Sequence, residues 1–91
     1  MKHEIVRRQF AKIGGAWIAL EDAQQRDLDV ERSWSSFCVL VSGDKLDDIA
    51  RTLRERVSSS HIDIVPSAAA GGVWVLGAMY HLENALPRLA P

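Results

Sequence analysis

FCVLVSGDKLDDIARTLRERV, residues 37 to 57, runs from an apolar segment through a glycine turn into an amphipathic segment. Leu46, Ile49, Ala50, Leu53 and Val57 recur at the spacing of one helix face, which predicts a helix over 44–57. The opposite face offers Asp47–Arg51 and Arg51–Glu55 at i,i+4. Arg54 and Arg56 suit its C-terminal end, and Ser58, Ser59 and Ser60 stop it. The preceding run, Ser36 to Ser42, is apolar on both sides: Phe37, Val39 and Val41 alternate with Cys38 and Leu40. A strand of that kind is central in a sheet and covered on both faces.

A strand, a glycine turn and a helix start are also what many phosphate sites are made of. Here Gly43 stands alone, so neither a P-loop nor a dinucleotide fingerprint is present. Asp44 is placed to act as the N-cap, with Asp47 and Asp48 following in the first turn. Three carboxylates repel a phosphate. The turn is therefore expected to supply its own anions and cap its own helix. The alternative, a hard cation held by Asp44, Asp47 and Asp48, needs more oxygen ligands than this turn contains.

Towards the C-terminus, His61 to Val65 alternates: Ile62 and Ile64 share one face, His61 and Asp63 the other. This predicts an edge strand closed by Pro66. SAAAGG, residues 67–72, reads as a flexible hairpin loop. Val73 to Tyr80 is apolar on both faces, hence central. A short helix over 82–89 follows, with Leu82, Ala85, Leu86 and Leu89 on one face. Pro87 fits its first turn if Asn84 is the N-cap.

Towards the N-terminus, Glu4 to Ile13 fits a helix. Val6, Phe10 and Ile13 stand at i, i+4 and i+7, and Gly14 serves as the stop. Ala16 to Glu21 suits a helix or a strand, and Ala23 to Ser33 is polar and reads as a loop. Topology selects the strand. If strands 36–42 and 73–80 are neighbours, strand 61–65 takes one edge and the other edge needs a partner, which 16–21 can supply. The expected fold is thus α+β, a single domain over 1–91. It is a ferredoxin-like split βαβ sheet of about four mostly antiparallel strands, with two helices on one face and an N-terminal helix as an extra element.

The 91 residues are 47% hydrophobic and 25% charged, ordinary for one globular domain, and the net charge of −1 gives no global pull towards nucleic acid or membrane. Locally, Lys2, Arg7, Arg8 and Lys12 against Glu4 make the first dozen residues basic, whereas residues 21–32 are acidic. One cysteine, Cys38, excludes an internal disulfide framework. No apolar run has the length of a membrane span. The short run from Ile13 to Leu20 is followed by Glu21 and Asp22, where a signal peptide has small cleavage-site residues. A cytoplasmic location is expected.

Candidate chemistry is sparse. His61 and Asp63 on one strand face, with His81 approaching from a neighbouring strand end, are the residues from which an acid–base or metal site would be built. Two solvated side chains on an edge strand explain them as well. Cys38 sits among apolar neighbours, as a buried structural thiol does. Trp17, Trp34 and Trp74 are many tryptophans for this length. Trp17, Phe37 and Trp74, lined along one sheet face, would need nearby Lys or Arg to stack on nucleic-acid bases, and the predicted strands carry none.

The sheet's second face points to function. Two helices cover one face, yet strands 36–42 and 73–80 are apolar on both, and a large bare apolar patch is unusual on a monomer. Either the N-terminal helix covers it or a second protein does, a homodimer being the commonest arrangement. The expectation is a small non-enzymatic protein-binding module, of regulator, inhibitor or immunity type, with no cofactor. Its interface is drawn from Trp17, Phe37, Val39, Val41, Val73, Trp74 and Val75. A small enzyme or metal protein using His61, Asp63 and His81, and a single-stranded nucleic-acid binder using the sheet aromatics, are the alternatives.

Overall fold

The computed structural model describes residues 3–89. In chain order it contains β1 (Ile5–Ile13), β2 (Ala16–Ala19), α1 (Leu20–Gln25), β3 (Ser33–Ser42), α2 (Leu46–Arg56), β4 (Ile62–Ser67), β5 (Gly72–Gly77) and α3 (Met79–Leu89). The strands form one sheet in the order β2-β1-β3-β5-β4, with every neighbouring pair antiparallel. The two outermost strands, β2 and β4, approach one another, so the sheet is nearly closed into a barrel.

The ferredoxin-like sheet of four strands does not form. The stretch 4–13, expected as a helix, instead holds the long strand β1 (Ile5–Ile13), paired with β3 from Ile5↔Val39 to Ala11↔Ser33. That takes the edge assigned to 16–21. Ala16–Ala19 is a strand, but it pairs with β1. The cause is visible in the residues. Val6 and Phe10 are four apart, a spacing that places two side chains on one face of a helix and also on one face of a strand. What separates the two cases is the turn. Gly14 and Gly15 have φ of +58° and +81° and link β1 to β2 as a two-residue hairpin, the conformation that Gly-Gly adopts at lowest cost.

Three other boundaries differ from expectation. Leu20–Gln25, at the start of the stretch expected as strand and loop, is the helix α1. Its end is a Schellman motif: Asp27 sits at φ +53°, its N–H donates to the Gln24 carbonyl, and the Leu28 N–H donates to the Ala23 carbonyl. The last strand stops at Gly77, and α3 begins at Met79, so Pro87 falls inside that helix and not in its first turn. At α2 the N-cap is Lys45, with no side-chain capping bond, so Asp44 lies one residue too early to cap.

Two apolar layers hold the molecule together. The outer layer packs Val39, Val41, Val73 and Val75 beneath Ala50, Leu53, Leu82, Ala85 and Leu89 of α2 and α3. The inner layer is Phe10, Ala19, Cys38, Val65, Trp74 and Leu76. It draws on all five strands and on no helix, as the interior of a closing sheet does. Phe10, fully buried, stands edge-on to Trp17 at 6.4 Å and to Trp74 at 6.2 Å between ring centroids.

Candidate functional site

β1, as a strand, brings cations to the aromatic face. Register puts Val6, Arg8, Phe10 and Lys12 on the same side as Trp17, Trp34, Cys38 and Trp74. There the Arg8 guanidinium lies 5.9 Å from the Trp74 ring centroid and the Lys12 ammonium 5.3 Å from that of Trp17. Arg32, just before β3, lies 5.8 Å from Trp34. On the opposite side Arg7 sits 4.7 Å above Phe37. Trp17 and Trp34 meet edge to face at 5.3 Å, so Trp34, Trp17, Phe10 and Trp74 form a continuous chain of rings. Among the described residues none of these four cations has a carboxylate within ion-pair distance. Each contact is worth about 0.5–1 kcal/mol where exposed, so their main effect is to hold the cations in place.

Two recesses open along this surface. One, of about 400 Å³, has Phe10 and Trp74 at its base and Arg7, Arg8, Ser35 and Glu21 around it. The other, of about 490 Å³, lies at the β1–β2 turn and is bounded by Lys12, Arg32, Trp34, Asp29 and Glu31. Trp34 is 37% exposed and Trp17 and Phe37 are half-buried.

The other candidate interface residues lie elsewhere. Val39, Val41, Val73 and Val75 are sealed beneath α2 and α3, and Trp74 is 6% exposed inside the curled sheet. The second sheet face is therefore filled from within the same chain. No N-terminal helix covers it; the sheet's own curvature does.

A third recess, of about 650 Å³, lies where β2 and α1 meet β4 and the start of α2. Asp44, Asp47 and Asp48 border it. Behind them Asp22 is buried and spoken for. The Ser67 hydroxyl donates to its Oδ2 at 2.5 Å, and the Ala69 N–H donates to Oδ1 at 2.9 Å. Ser67 Oγ in turn accepts from the Ala70 N–H at 3.1 Å. This is a clasp between α1 and the end of β4, with no imidazole to turn the serine into a nucleophile.

His61 and His81 do come together. Their rings stack with centroids 4.5 Å apart and planes 3° from parallel, and Tyr80 stands edge-on to His81 at 5.4 Å. Parallel rings do not aim two nitrogens at one point. Asp63 pairs with Leu76 one strand position further on, and no group of three metal-ligating side chains exists among the described residues. Cys38 is fully buried and its Sγ–H donates to the Val6 carbonyl at 3.6 Å. Burial pushes the thiol up to about 11 against the lowering effect of Arg8, the reverse of what a nucleophile needs.

Sequence reasoning missed Arg8, Lys12 and Arg32 as site residues. The signal was Gly14-Gly15: read as a hairpin turn, it makes β1 a strand and places Arg8 and Lys12 on the tryptophan face. No helix among the described residues is long and apolar enough to cross a membrane. No family model, no curated protein and no solved structure matches this chain.

Proposed function

We propose that the chain is a non-catalytic protein-binding module, of regulator, inhibitor or immunity type. Its working surface is the cation-capped aromatic chain of β1, β2 and the Arg32–Trp34 segment. One observation carries this: three cations on that surface, Arg8, Lys12 and Arg32, each over a tryptophan ring and with no carboxylate partner among the described residues. Trp and Arg are the residues that most often dominate binding energy at protein interfaces. A bare apolar sheet face does not enter, because both faces are occupied within the chain.

Panning a random peptide-display library on the wild type and on Trp34→Ser tests it. Sequences enriched by the wild type and lost on the variant are the expected result. No enrichment over background, or equal enrichment on both, excludes this surface as the binding site.

A further inference from the structure

We infer that the segment bound by this surface is acidic and extended, its carboxylates pairing with Arg8, Lys12 and Arg32. This rests on the binding-module reading above and names the partner's chemistry. The chain has twelve acidic residues, and Glu21, Asp29 and Glu31 border the same recesses, yet among the described residues no carboxylate comes within ion-pair distance of these cations. A guanidinium lying on an aromatic ring has used one face of its plane. The N–H groups along its edge stay free, and their fork matches a carboxylate in two parallel hydrogen bonds.

Spacing agrees. Arg8 and Lys12 are four residues apart on one strand face, which separates their Cα atoms by about 13 Å. An extended peptide with acidic side chains at alternate positions presents carboxylates on one side at about 7 Å intervals, so every second one reaches a cation. Arg32 precedes Ser33, which pairs with Ala11, and so extends the row beside Lys12.

The same rings fit nucleic acid less well. Base stacking needs open ring faces. Phe10 and Trp74 are buried, Trp17 is flanked edge-on by Phe10 and Trp34, and cations already lie over Trp17, Trp34 and Trp74.

Tryptophan fluorescence can follow titration with three probes: a ten-residue peptide of alternating Glu and Ser, its Gln-for-Glu counterpart, and a ten-nucleotide oligo-dT. The Glu peptide is expected to bind at least about tenfold more tightly than the other two and to weaken at high salt, as ion pairs are screened. Arg8→Gln with Lys12→Gln should weaken it by a similar factor. Arg51→Gln, whose guanidinium already pairs with Asp48 away from this surface, should leave it unchanged. Should the double variant fail to fold, Arg32→Gln alone serves. Equal binding of the Gln peptide, no binding of the Glu peptide, or tighter binding of the oligonucleotide overturns the inference. If library peptides bind without an acidic excess while the Glu peptide does not, only the acidic partner is lost. If no peptide binds at all, the binding module falls with it.

Discussion

The two apolar layers of this protein are built on different principles. In the outer layer, α2 and α3 lie against β3 and β5, and each contributing element shows its own periodicity. In the inner layer three of the five strands, β1, β2 and β4, have no complete apolar face. β1 contributes Phe10 between Arg8 and Lys12, β2 contributes Ala19, and β4 contributes Val65. These become a core only because the sheet curls until all five strands share an interior. A helix-covered layer can be assembled from local signals; a curled interior depends on closure.

The comparison is broken most forcefully at Phe10. Phe10→Ala removes the ring that joins Trp17 to Trp74, and a stability loss of about 3–5 kcal/mol is expected in urea unfolding. A loss below about 1 kcal/mol would mean that the inner layer is not a true core.

Asp22 tests the closure itself. Its carboxylate joins α1 to the end of β4 and the residues after it through Ser67 and Ala69. Asp22→Ala should cost about 2–3 kcal/mol, since a buried hydroxyl and an N–H lose a charged acceptor. Hydrogen exchange should quicken in β4 while α2 is spared. Uniform quickening would instead mean that the two layers open as one unit.

Cys38 reports on the inner layer by pH. Burial raises its thiol from 9.0 to about 11. The unfolded chain therefore loses this proton first as pH rises. The stabilisation is complete below 9.0 and is lost as pH rises from there through about 11. The slope is about 1.4 kcal/mol per pH unit inside that window. Cys38→Val should remove this part of the alkaline decline in a series of thermal melts. An unchanged slope would show that the thiol is not shielded.

The smallest effect sharpens the outer layer. Asp44 makes no capping bond to α2. Asp44→Ala is expected to change stability by less than about 0.5 kcal/mol, whereas loss of a working N-cap would cost about 1 kcal/mol. A larger loss would return the cap to Asp44.

By itself the sequence determined those parts in which a local pattern has one physical solution. The spacing of Leu46, Ile49, Ala50, Leu53 and Val57 has no other outcome than a helix face. The two-sided apolar runs about Val39 and Val75 require a central place in a sheet. Cys38, among apolar neighbours, was legible as a buried thiol. Only the tertiary structure decided the rest. Val6 and Phe10 satisfy the helix and strand periods equally, so pairing with β3 chose between them. Pro87 sits within α3, where packing of Leu82, Ala85 and Leu89 outweighs its local cost. The candidate surface was hidden for the same reason. Arg8 and Lys12 come over tryptophan rings only once β1 is a strand, because the contacts of Arg8 with Trp74 and of Lys12 with Trp17 are set by strand pairing, whereas Arg32 and Trp34 stand two residues apart in the sequence itself.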